Sequence, residues 1–135
     1  MIDMNNMPKL GFGLMRLPET DGKINHEEVC KMVDAYMSAG LNYFDTAYVY
    51  HSGLSEVEAG KAIVNRYPRE SFKLATKLPA WELKTEDDRD RIFKEQLRRA
   101  DVDYYDFYLL HSVEDGNIEI YEKLDCFNWG LQKKE

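Results

Sequence analysis

The sequence predicts a parallel α/β fold built from repeated strand–helix units. Four short apolar runs of strand character recur about every 30 residues, amphipathic stretches fill the intervals, and helix-start and helix-stop signals mark the junctions. Strands that alternate with helices at this spacing join in parallel through right-handed crossovers. Two architectures satisfy the pattern, a small doubly wound sheet and half of an eight-stranded barrel. Periodicity alone does not separate them.

The first strand is Leu10-Gly11-Phe12-Gly13-Leu14-Met15. A helix follows, with Asn25 as N-cap and Glu28 three residues later as the second half of a capping box. Val29, Met32, Val33 and Tyr36 fall on one face of it, and Gly40 sits where a left-handed residue ends it. The second strand, Asn42 to Ala47, runs into a loop, and Ser55 with Glu58 predicts another capping box opening a helix that turns Val57, Ala62 and Ile63 inward. Phe72 to Lys77 forms the third strand, stopped by Pro79. Thr85 caps a third helix carrying Ile92, Phe93, Leu97 and Ala100 toward the sheet. Tyr105 to Leu110 is the fourth strand, and a last amphipathic region holds Ile120, Tyr121, Leu124 and Phe127.

Composition narrows the function classes. A formal charge of −7 argues against nucleic-acid binding, which rests on Lys and Arg neutralising phosphates. No run approaches the roughly 18 apolar residues of a membrane span, and the start Met1-Ile2-Asp3-Met4-Asn5-Asn6-Met7 has no secretory pattern. Cys30 and Cys126 lie far apart, so neither a metal site nor a disulfide framework is expected, and a cytoplasmic location is the default.

Polar residues collect at one structural position, the carboxyl end of the strands. Asp45 ends the second strand with Tyr50 just beyond it, Lys77 ends the third and His111 the fourth. In parallel barrels the loops at that face hold the active site. These residue types also make a proton-transfer unit. A tyrosine hydroxyl titrates at about 10, too high for ready proton exchange at neutral pH, and a nearby ammonium lowers that value. On this reading Asp45 keeps Lys77 charged, Lys77 tunes Tyr50, and Tyr50 protonates a developing alkoxide that His111 orients by a hydrogen bond. Taken singly, each has an ordinary structural reading, as a strand-end cap, a solvated charge, a packed aromatic or a satisfied histidine.

At these residues the chain resembles the aldo-keto reductase family. Phe44-Asp45-Thr46-Ala47-Tyr48-Val49-Tyr50, followed by Ser55-Glu56, is similar to the family signature, with a Tyr five residues after the Asp. Ala75-Thr76-Lys77 resembles its lysine strand, Asp103 through His111 its histidine strand, and Leu10 through Pro18 its first strand and loop. The resemblance runs from about Pro8 onward and implies a (β/α)8 barrel of the TIM-barrel type, of which about the first four βα units are present. It implies an NADP(H)-dependent oxidoreductase acting on aldehyde, ketone or sugar carbonyls, with Asp45, Tyr50, Lys77 and His111 catalytic. Gly13, Met15 and Arg16, together with Asp45, match positions near the nicotinamide end of the cofactor. A doubly wound binder is disfavoured because no phosphate loop follows the first strand.

The chain also departs from the family pattern. His51 stands where most members have Gly, and His51-Ser52-Gly53-Leu54 resembles a bacterial branch whose longer members often end in an iron–sulfur-type cysteine cluster, which this sequence lacks. A whole barrel takes about 250 residues, so 135 residues read as an N-terminal half truncated near the fourth helix. A fragment, a truncated gene product and a half that closes with a second copy all fit, and the fragment is favoured. The half alone is expected to be inactive, to bind NADP(H) without high affinity, and to self-associate through its open first and fourth strands.

The remaining polar groups receive structural readings. His26 and His51 are satisfied structural histidines, Glu86 through Arg91 is the solvated start of a helix, and Cys30 is a small buried hydrophobe. Trp81, in the loop after the lysine strand, either lines a substrate pocket or covers a helix end.

Overall fold

The computed structural model describes residues 4–134. In chain order it contains β1 (Gly11–Gly13), β2 (Glu19–Thr20), β3 (Lys23–Ile24), α1 (His26–Ser38), β4 (Tyr43–Asp45), α2 (Leu54–Ala59), β5 (Lys73–Pro79), α3 (Asp87–Ala100), β6 (Phe107–His111), α4 (Ile118–Lys123) and α5 (Cys126–Gln132). The main sheet is four-stranded and all parallel, in the order β1-β4-β5-β6. This is the succession of βα units expected of one half of a (β/α)8 barrel. β2 and β3 form a separate hairpin whose turn residues Asp21 and Gly22 both have positive φ, as an Asp-Gly two-residue turn requires.

Burial separates central from edge strands. Five of the seven residues of β5 are buried, whereas none of β6 and none of β1 is. The fourth and first strands are thus the open edges that the half-barrel reading anticipates. One apolar core gathers Leu14, Val33, Phe44, Ile63, Phe72 and Leu74 near β1, β4 and α1. A second gathers Leu78, Ile92, Tyr121 and Trp129 near the far end of β5. Each large side chain sealed in these cores contributes roughly 1.5–3 kcal/mol. Gly60, just past α2, lies so close to α3 that a Cβ would sit 3.0 Å from the Ala100 carbonyl oxygen.

Several local expectations change in the fold. Asn25 caps α1 as expected, its Oδ1 accepting from Glu28 N at 3.0 Å, and Gly40 is left-handed after the helix. Val29, Val33 and Tyr36 are buried, but Met32 is exposed because it lies at the margin of the stripe. Ser55 is not a cap: left-handed Gly53 precedes α2, and Ser55 Oγ instead donates to the Leu14 carbonyl at 2.9 Å. Glu58 is taken up by His26 Nδ1 at 2.6 Å. At the start of α3 the acceptor is Asp88, which receives the Lys84 and Thr85 amides at 2.8 and 2.9 Å. Its carboxyl is held below the usual carboxylate range by those two amides and by Arg91.

The charge run at that helix start is only partly solvated. Arg89 is buried, and its guanidinium donates to the Leu124 carbonyl and to Glu86. The final amphipathic region is two helices rather than one, broken at left-handed Asp125. Its inward residues are Tyr121, Leu124, Cys126 and Trp129, while Phe127 is exposed. Cys30 is half-buried against the first core, with Sγ 3.5 Å from His26 Nε2.

Candidate active site

Parallel pairing sets the site. Gly13, Asp45 and Ala75 lie side by side across β1, β4 and β5, and Pro79 pairs with His111 across β5 and β6. Asp45 is level with Ala75 and Phe107, so β5 and β6 extend beyond it, to Pro79 and His111. β5 runs two residues beyond Lys77, so the lysine lies inside the strand rather than at its end.

The four candidate residues form one contiguous cluster. Lys77 Nζ donates to Asp45 Oδ1 at 2.5 Å and to the Thr46 carbonyl at 2.6 Å. The same ammonium lies 4.8 Å from the centre of the Tyr50 ring. Tyr50 meets the His111 ring edge-on, with centroids 5.8 Å apart. Trp81 also packs against this histidine, with ring centroids 5.1 Å apart, and is half exposed. Burial, and then the Lys77 ammonium, push the His111 imidazole down from its ordinary value, opposed in part by Asp45. That direction favours the neutral ring. Among the described residues its buried Nδ1 has no hydrogen-bond partner.

Tyr50 opens a tight turn, Tyr50–Gly53, in which His51, Ser52 and Gly53 all have positive φ. His51 Nε2 accepts the Leu17 amide at 3.1 Å, and Nδ1 faces Glu19 Oε1 at 3.0 Å. His26 and His51 are thus both satisfied, as their structural reading requires. Of the cofactor-side positions, Gly13 sits beside Asp45, and Met15 and Arg16 follow it with exposed side chains.

Beneath Lys77 lies a polar hub that the sequence reading did not find. Glu56, fully buried, accepts from Thr76 Oγ1 at 2.6 Å, Gln96 Nε2 at 2.8 Å and Arg99 Nη1 at 3.3 Å. Burial raises its carboxyl above the ordinary range, with these three partners opposing. Gln96 also donates to the Lys77 carbonyl at 2.9 Å and accepts from Tyr108 at 2.6 Å. The available signal was a polar residue on an apolar stripe, since Gln96 stands between Ile92 and Ala100 at helical spacing. A second missed residue is Tyr121. Its buried hydroxyl is shared between the carbonyls of Leu78 and His111 at 2.8 and 2.7 Å and accepts the Ala80 amide at 3.0 Å. Burial pushes that hydroxyl up to about 12, so it remains a donor.

A groove of about 490 Å³ runs between the β2–β3 hairpin and α2, with Glu19, His26, His51 and Glu58 in its walls. None of the four candidate residues lines it. Among the described residues no helix is long and apolar enough to cross a membrane, and no cluster of His, Cys, Asp and Glu is suited to a metal.

A parallel β1-β4-β5-β6 sheet flanked by helices is the architecture of part of a (β/α)8 barrel. The aldo/keto reductase family profile matches residues 9–128, and the chain belongs to that family. It is 35% identical over 127 residues to an aldo-keto reductase of Mycolicibacterium smegmatis, covering 93% of this chain and 42% of that protein. It is 33% identical over 139 residues to aldehyde reductase YPR1 of Saccharomyces cerevisiae, covering 96% and 40%. Among solved structures, an aldo-keto reductase from Klebsiella pneumoniae in complex with NADPH superimposes with a TM-score of 0.69 at 29% identity, over 89% of this chain and 42% of that one. Aldo-keto reductase AKR11C1 from Bacillus halodurans gives 0.65 at 31%, over 87% and 42%. The chain therefore spans about two fifths of the length of the curated relatives it matches.

Proposed function

We propose that this chain contributes the proton-donating half of an NADP(H)-dependent carbonyl reductase, with Tyr50 as general acid. The observation that carries the reading is the unbroken run Asp45–Lys77–Tyr50–His111, in which an ammonium paired with a carboxylate lies against a tyrosine whose ring meets an imidazole. Asp45 and the Thr46 carbonyl fix the Lys77 ammonium against the Tyr50 ring, beside the proposed proton donor. His111 orients the carbonyl oxygen, its ring held edge-on against that of Tyr50.

The relative from Klebsiella pneumoniae was solved with NADPH. Here the residues that fit the reacting end of such a cofactor are Gly13, Met15, Arg16 and Asp45 beside the tetrad, and this chain carries no glycine-rich loop for the phosphates. When bound, the cofactor supplies the hydride. A small aldehyde or ketone is the substrate class, and a cytoplasmic, reducing setting suits the two free cysteines. In a completed barrel, closed by a second copy or by the rest of a longer chain, aldehyde-dependent NADPH oxidation should fall about 10²–10⁴-fold in Tyr50→Phe. Undiminished turnover in that variant would remove Tyr50 from its role.

A second reading rests on the sheet edges. β1 and β6 each pair on one side only, which favours association of the four-stranded sheet with further strands, from a second copy or from the rest of a longer chain. Light scattering should then show species larger than one chain. A compact monomer at high concentration would reject self-association.

A further inference from the structure

We propose that His51 is the positioning residue for Tyr50, latching the loop after β1 to the turn that carries the proposed acid. The inference rests on the reading of Tyr50 given above and extends it to a residue that makes no contact with the reacting groups. An amide N–H can only donate, so the bond from Leu17 N requires a lone pair on His51 Nε2. The ring proton therefore sits on Nδ1, facing the Glu19 carboxylate. One neutral imidazole thus bridges the backbone at Leu17, the hairpin at Glu19 and the residue covalently next to Tyr50.

Backbone geometry shows why a latch is needed. His51 has φ 49° and ψ 42°, and Ser52 has φ 54° and ψ 37°. Left-handed backbone is disfavoured for a non-glycine residue, and it persists only where the surroundings over-determine it. At His51 the two side-chain bonds supply that determination, because releasing the ring would release the φ that aims Tyr50 toward Lys77 and His111. The loop being latched, Leu14 through Leu17, also contains Met15 and Arg16 of the proposed cofactor side. His51 thereby fixes the acid relative to the strand end where the cofactor's reacting end is proposed to lie.

Two substitutions test this. His51→Gly removes both bonds while permitting the left-handed backbone, so the fold survives. His51→Gln can again accept from Leu17 and donate to Glu19. In His51→Gly, hydrogen exchange at the Leu17 amide should accelerate about tenfold or more, and the ring–ring NOE between Tyr50 and His111 should weaken to less than about half. His51→Gln should restore both. An unchanged Leu17 amide overturns the latch. Loss of Leu17 protection with an unchanged NOE overturns the positioning role, leaving His51 merely structural. Tyr50→Phe keeps the ring and the latch, so NADPH oxidation undiminished in that variant would refute the catalytic reading of Tyr50 without touching the readouts on His51.

Discussion

Lys77 Nζ reaches from β5 to Asp45 Oδ1 on the neighbouring strand at 2.5 Å, and the same ammonium accounts for the Thr46 carbonyl at 2.6 Å. The pair is mostly shielded from water, with the lysine side chain 12% and the aspartate side chain 28% exposed. It sits between strands of a parallel sheet, so it ties the register of β4 to that of β5 at the candidate site.

A double-mutant cycle over Lys77→Met and Asp45→Asn should therefore show a coupling of about 1–3 kcal/mol, larger than an exposed pair gives. Lys77→Met alone should be the more damaging single change, because it strands both the carboxylate and the Thr46 carbonyl. Urea unfolding monitored by circular dichroism supplies all four corners. Additive single effects would show that the pair is screened.

His111 should titrate below the ordinary histidine value of about 6.5 when its ring is followed by NMR. Since the folded value lies below the unfolded one, the unfolded state binds more protons in the window between them. Stability is then complete above about 6.5 and is lost as the pH falls through the folded value. Lys77→Met removes the second-largest cause of the shift and should move the midpoint upward. A midpoint that stays put would mean burial alone sets it.

Glu56 gives the opposite sign. Its folded value is raised by burial, so the folded state binds the extra proton, and stability declines as the pH rises from the ordinary carboxylate value of about 4.3 through the raised one. Glu56→Gln removes that slope. Stability measured at several pH values between these limits should fall in the wild type and run flatter in the variant. Parallel curves would place the ionisation elsewhere.

Tyr121→Phe keeps the buried ring and deletes only the hydroxyl. The Ala80 amide loses its acceptor, and the carbonyls of Leu78 and His111 lose a shared donor, at a cost of about 1–3 kcal/mol. Thermal unfolding measures it, and amide exchange at Ala80 should accelerate with it. Unaltered exchange at Ala80 would show that another acceptor replaces the hydroxyl.

The repeating βα units, the strand positions and the tetrad were legible because each follows from local pattern. Apolar runs located all four strands of the main sheet, and the strand-end reading held for Asp45 and His111, whereas Lys77 lies inside its strand and Tyr50 in the following turn. The β2–β3 hairpin was missed although Asp21-Gly22 is a turn signal, because its strands of two residues each carry no periodicity. Ser55 and Thr85 matched capping patterns but were claimed by other partners, Ser55 by the Leu14 carbonyl and Thr85 through Asp88. Glu56, Gln96 and Tyr121 act through contacts 10 to 43 residues away, which no short window of sequence displays.

That separation bears on how the molecule assembles. Thr76, Gln96 and Arg99 reach Glu56 across 20, 40 and 43 residues, from β5 and from two successive turns of α3. Loop-closure entropy makes such contacts costly until the intervening elements have docked. Pairing of β4 with β5 closes a loop of comparable length, so neither the sheet register nor the hub is the purely local event. By joining α2, β5 and α3 at one carboxyl, Glu56 should make the strand bearing Lys77 and the two helices open as one unit, with their amides exchanging at a common rate rather than separately.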